Sequence, residues 1–178
     1  PMTTIGTFGR IMWSMTMDAD NQHLIAAISA SGGYLAKIDL ATATVTTITQ
    51  VASPFFVVLN QDGDYLVGTL GKNLVKVKRD GSAVTTILTG QPQVTIPLRE
   101  RGSGDWILYN NSGQLLRYTH DWSSVLATIS HGSSPVYEMI QDAQRPDVYL
   151  AARDLARYDP RTNAVSILAS IHPGILGD

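Results

Sequence analysis

The chain contains no cysteine. That excludes disulfides, thiolate metal centres and cysteine nucleophiles, while leaving the compartment open. Charge is scarce as well. Charged residues make up 16% of the chain, against about 25% in an ordinary soluble domain. Thirteen Lys and Arg nearly balance fifteen Asp and Glu, so the net charge of -2 offers no broad basic face for nucleic acid. No apolar run approaches the roughly 20 residues of a membrane-spanning helix, and no membrane partner is expected. A basic-then-apolar leader is also missing, so no signal peptide is expected and the localisation stays open. Apolar residues, by contrast, are plentiful. At 44% they suffice for a real core, which excludes a disordered chain, and 178 residues fit one domain.

An internal repeat decides the fold class. Segments 24–48 (LIAAISASGGYLAKIDLATATVTTI), 65–87 (YLVGTLGKNLVKVKRDGSAVTTI), 106–129 (WILYNNSGQLLRYTHDWSSVLATI) and 148–167 (VYLAARDLARYDPRTNAVSI) align on Ile48, Ile87, Ile129 and Ile167. A period of about 40 residues fits either propeller blades or helical repeats. Short alternating runs such as Leu74-Val75-Lys76-Val77-Lys78 have a period of two, and Val, Ile and Thr abound. Turn signals at Gly32-Gly33, Asp62-Gly63, Asp80-Gly81, Ser112-Gly113 and Asp159-Pro160 punctuate these runs. No stretch carries a sustained helical period with caps. The sequence therefore predicts an all-β chain, a β-propeller of four-stranded antiparallel blades with about four blades encoded.

In the second unit the strands are expected at 55–59 (A), 65–69 (B), 74–78 (C) and 83–88 (D). Proline recurs before strand A at Pro54, Pro92 and Pro135, where a missing N–H is tolerated. The blades span approximately 9–50, 51–90, 91–132 and 133–171, within a single propeller unit over 1–178. Residues 3–8 resemble an orphan D strand, and 172–178 resemble the start of a further A strand. These ends suggest part of a larger ring, or self-association into a dimer or larger ring. A closed four-bladed ring is the alternative.

The pattern of Ser53-Pro54 through Asp62-Gly63, Tyr65-Leu66-Val67, Val75-Lys76-Val77, Asp80-Gly81 and Val84-Thr85-Thr86-Ile87 resembles NHL, YVTN and SMP-30-like β-propellers. Leu35-Ala36-Lys37-Ile38-Asp39-Leu40 matches their C strand, and the third and fourth units fit more loosely. The resemblance implies architecture rather than chemistry, because that superfamily holds lactonases, lyases and protein-binding scaffolds. Its lactonase-like members hold a divalent cation such as calcium in the channel. Only Glu138, Asp62 and Asp64 are weak candidates for such a role here, and no cofactor is expected.

Other constellations read as structure. Asp18-Ala19-Asp20-Asn21-Gln22 and Asn60-Gln61-Asp62-Gly63-Asp64 place oxygens at alternate positions, but lack the glutamate of an EF-hand and fall at A–B hairpins. His23, His120, His131 and His172 show no metal spacing. No GxSxG elbow occurs, and Arg101-Gly102-Ser103-Gly104-Asp105 lacks the ending of a phosphate loop, which makes it a hairpin. Catalytic residues are thus not identified. The D–A and B–C loops should form one rim, whose candidate ligand-binding residues are Arg10, Trp13, Lys72, Gln91, Asn110, His131, Tyr137, Arg153 and His172. This mixed polar rim has few carboxylates. It suits a binding or scaffold module for a peptide, glycan or small polar ligand. The alternatives are a metal-assisted lactonase, hydrolase or lyase, or a fragment of a larger propeller without a function of its own.

Overall fold

A computed structural model describes residues 11–29, 32–90, 97–110, 112–130, 136, 138–152 and 154–170. The chain forms two compact units, Pro1–Gln91 and Pro92–Asp178. The described residues are strands and turns throughout, and among them no helix is long and apolar enough to cross a membrane.

The first unit holds two antiparallel four-stranded sheets. One consists of β1 (Ile11–Met17), β2 (His23–Ser29), β3 (Tyr34–Asp39) and β4 (Val45–Gln50), the other of β5 (Pro54–Leu59), β6 (Tyr65–Thr69), β7 (Leu74–Val77) and β8 (Val84–Leu88). The second unit repeats the plan with β9 (Leu98–Arg99), β10 (Trp106–Asn110), β11 (Gln114–Tyr118) and β12 (Val125–Ser130), then β13 (Glu138–Gln141), β14 (Val148–Ala151), β15 (Asp154–Asp159) and β16 (Ala164–Ser170). Every sheet is a meander in sequence order, the A–B–C–D form of a propeller blade.

The period of two explains the packing. In the first unit Ile25, Ala27 and Leu35 of one blade pack on Val57, Tyr65, Val67, Val75 and Val77 of the next. The intervening residues of the first blade, Ala26, Ile28, Ala36 and Ile38, form a separate buried cluster. In the second unit Ile107, Tyr109 and Leu115 pack on Val148, Leu150, Ala156 and Tyr158. Each fully buried large aliphatic side chain contributes about 1.5–3 kcal/mol, so the B and C strands carry the cores. The D strands are mostly exposed, with Val84, Val125 and Ile167 facing solvent.

In the second blade strands B, C and D lie within a residue of their expected places, and strand A begins at Pro54 itself. The third A strand, β9, has only two residues. Pro92, Pro135, the orphan strands 3–8 and 172–178 all lie outside the described residues. Each C strand leads into an aspartate-capped turn. Asp39, Asp80, Asp121 and Asp159 accept backbone N–H bonds at 2.9 to 3.1 Å from Ala41, Ser82, Ser123 and Arg161. These side chains satisfy turn amides that have no ladder partner.

Candidate functional site

A meander puts its A–B and C–D turns at one end of each blade and its B–C turn at the other. The buried charge collects at the A–B and C–D end. Asp64, Asp105 and Asp147 each stand immediately before a B strand, and each is nearly inaccessible. They anchor the C-strand end of their own blades. Asp64 accepts from the Arg79 amide at 3.1 Å, Asp105 pairs with Arg117 at 2.7 Å, and Asp147 lies 3.9 Å from Arg161.

In the first unit Asp18 is the buried hub. It accepts from Tyr65 Oη at 3.0 Å and Arg79 at 2.9 Å, both belonging to the second blade. Burial pushes the Asp18 carboxyl up. The bonds from Arg79, the Ala19 amide and Tyr65 outweigh that, leaving its pKa below the ordinary value. Asp18, Asp20 and His23 stand close enough to share a cation, but Arg79 and Lys37 already face the two carboxylates. Two of the three weak metal candidates face lysines: Asp62 pairs with Lys76, and Asp64 with Lys76 and Lys78. Glu138 is exposed on β13 of the second unit. A divalent ion at Asp62 and Asp64 would have to compete with those ammonium groups.

A well-formed cleft lies inside the second unit. It is a cleft of about 540 Å³, formed by the A–B hairpin of the third blade, the A–B hairpin of the fourth and the C–D turn of the fourth. That size suits a small ligand. Pro146, Pro160 and Ala143 supply apolar wall, and four arginines, Arg101, Arg117, Arg145 and Arg161, line it against one carboxylate, Glu100. All four lysines of the chain precede residue 79, whereas seven of its nine arginines follow residue 98. The cleft therefore presents planar guanidinium forks rather than point charges.

Glu100 organises the glycine-rich hairpin. Its carboxylate accepts from the Gly102 amide at 2.7 Å and from the Ser103 amide and hydroxyl at 2.6 Å each. Gln141 adds a bond at 3.3 Å across from the fourth blade. Burial pushes the Glu100 carboxyl up, and the Ser103 and Gly102 bonds override it, so its pKa lies below the ordinary value. The hairpin's own carboxylate fills the amide nest, so any ligand must be met by side chains. Arg117 is held by Asp105 and donates to the Pro160 carbonyl, and Arg161 is held by Asp159 at 3.0 Å. Arg101 spends one guanidinium N–H on the Ala143 carbonyl at 3.2 Å. Arg145 makes no side-chain hydrogen bond or ion pair among the described residues and is exposed on the cleft wall.

Of the expected rim residues, the structure describes three, Trp13 and Lys72 in the first unit and Asn110 in the second. Trp13, 47% exposed on β1, meets Phe55 with ring centroids 5.3 Å apart. Lys72 is exposed in the β6–β7 turn with φ of 65°. Asn110 is buried at the end of β10 in the second unit, where its side chain caps the B–C turn through the Ser112 and Gln114 amides at 3.0 and 3.1 Å. Arg10, Gln91, His131, Tyr137, Arg153 and His172 lie outside the described residues. The described part of that rim holds a smaller hollow of about 290 Å³, lined by Gln50, Ser53, Thr69 and Asn73 among others. The cleft arginines escaped the sequence reading. Their signal was the placement of Arg101, Arg145 and Arg161 in the turns of units three and four alone.

No family model matches the chain, and no curated protein matches it. Solved structures do. One is an auxiliary nutrient binding protein from Bacteroides thetaiotaomicron, with 15% identity over 90% of this chain and 43% of that one, at a TM-score of 0.68. Another is U3-55K, with 12% identity over 93% of this chain and 54% of that one, at 0.72. A third is the C-terminal WD40 domain of Sif2, with 10% identity over 89% of this chain and 46% of that one, at 0.65. The fold is a β-propeller. At these identities the likeness shows the fold alone, and the chain spans about half the length of these three proteins.

Proposed function

We propose that the chain is a binding module whose ligand, a small polar compound, peptide or glycan, enters the cleft between the third and fourth blades. The observation that carries this is the cleft itself, a hollow of about 540 Å³ with apolar wall and guanidinium groups left partly unpaired. Turns held on stiff sheets make a pre-formed site, and pre-formed sites lose little freedom on binding. The motif resemblance to NHL, YVTN and SMP-30-like propellers supports a scaffold of this type, and the likeness in fold to a nutrient binding protein is consistent with it.

The test is a ligand screen by saturation-transfer NMR against glycans, short peptides and polar metabolites, run on the chain and on Ala143→Trp. Ala143 is exposed on the cleft wall, so the larger side chain fills the cleft without entering a core. Hits that vanish in the variant support the proposal. Hits that persist unchanged place the site elsewhere.

A further inference from the structure

The cleft also states which charge it expects. We infer that its ligand is an oxyanion, carrying carboxylate or phosphate groups, and that Arg145 and Arg101 are the residues that grip it. This rests on the cleft being the binding site.

Four lining arginines face one lining carboxylate, which is held by three hydrogen bonds from its own hairpin and one from Gln141 of the fourth blade. The carboxylates that neutralise Arg117 and Arg161, namely Asp105, Asp147 and Asp159, are not among the lining residues. Behind the wall they fix two guanidinium groups as rigid positive floor. In front, the Arg145 guanidinium makes no hydrogen bond among the described residues, although its charge is felt by the nearby Asp142 carboxylate, and Arg101 commits a single N–H there. A guanidinium's coplanar N–H groups match the two oxygens of a carboxylate or phosphate, and such charge-assisted pairs are about twice as strong as neutral hydrogen bonds. Neutral hydroxyl ligands would need acceptors as well as donors, and the cleft's main acceptor, Glu100, is already saturated. Pro146 and Pro160 flank the charges and supply apolar contact beside them.

The experiment is a titration of the 15N-labelled full chain with citrate, with inorganic phosphate and with the neutral trisaccharide raffinose, at fixed ionic strength. The amides of Gly102, Ser103, Gln144 and Arg145 report on the cleft. Saturable shifts with either anion are expected, weakening as salt is added. The citrate and phosphate arms separate a carboxylate ligand from a phosphate one. Arg145→Gln should weaken binding about tenfold or more, because it removes a charged hydrogen-bond donor. It should leave the fold intact, since the Arg145 side chain is exposed and the bond Arg145 makes to Asp142 comes from its backbone amide. Lys78→Gln, at an exposed lysine of the first unit, should change nothing. Equal losses from Lys78→Gln and Arg145→Gln would mean diffuse attraction and overturn the inference. Saturation by raffinose with none by either anion would overturn the inference while leaving the proposed function standing. Cleft amides unmoved by both anions also overturn it, and the proposed function falls with it only if the screen's own hits persist in Ala143→Trp.

Discussion

Replacing Tyr65 by Phe removes one oxygen from a site where every group is accounted for. Tyr65 and Asp18 are both essentially inaccessible, and the phenol donates to Asp18 Oδ1 at 3.0 Å across the two blades of the first unit. A hydrogen bond to a charged acceptor contributes about 1.5–3 kcal/mol. Asp18 keeps the Ala19 amide at 2.8 Å, Arg79 at 2.9 Å and Lys37 at 3.5 Å. The loss should therefore fall in the lower part of that range, about 1.5–2 kcal/mol. Urea unfolding followed by circular dichroism and by fluorescence measures it, with Trp13 reporting on the first unit and Trp106 and Trp122 on the second. The sign of the pH dependence follows from Asp18. Its folded pKa is depressed, so its contribution is complete above its unfolded pKa of about 3.9 and is lost as pH falls through the folded value. The penalty of Tyr65→Phe should accordingly be largest near neutral pH and shrink in strong acid. A loss under about 0.5 kcal/mol near neutral pH, or one that does not change with pH, would refute the reasoning.

Three further outcomes follow from the same geometry. Gly68→Ala would put a Cβ 2.0 Å from Phe56 Cε1, inside a buried contact, and should cost about 1–3 kcal/mol by chemical denaturation, partly restored by adding Phe56→Leu. Glu100→Gln removes a carboxylate whose depressed pKa makes it stabilising above the ordinary glutamate value and progressively less so as pH falls. The variant's melting temperature should therefore depend less on pH across that acid range, with the wild type converging on it in acid. Trp122→Phe breaks the stack with Trp106, whose centroids lie 5.1 Å apart at 19°, and should abolish their coupled near-ultraviolet dichroism while leaving the strand signal in place.

Much of the architecture was legible because it is local. Alternation at period two placed Tyr65–Thr69 to the residue, and the aspartates that end the C strands marked turns whose amides they cap. Buried B and C strands read as nearly continuous apolar runs, which the four aligned segments display. β9 was harder, because two residues carry no period. Asp64 read as a turn residue and, beside Asp62, as only a weak cation candidate. Its real partners, Lys76, Lys78 and the Arg79 amide, come from strand C and the turn beyond, which sequence adjacency does not reveal. Asn110 looked like a rim residue, and its side chain is consumed in holding its own turn. The cleft was least legible of all. It needs residues 100–103, 117, 143–146 and 160–161 to converge from two blades, and it needs Glu100 to withdraw the hairpin amides from ligand contact. Convergence of that kind is a property of packing, not of pattern.

The most direct test is to map the amides that move when the first ligand found in the screen is bound. Shifts centred on Gly102, Ser103, Gln144 and Arg145 are the predicted result. Shifts centred instead on the opposite end of the blades, around Ser53, Lys72 and Ser112, would contradict the cleft as the site and return recognition to the rim of B–C and D–A loops.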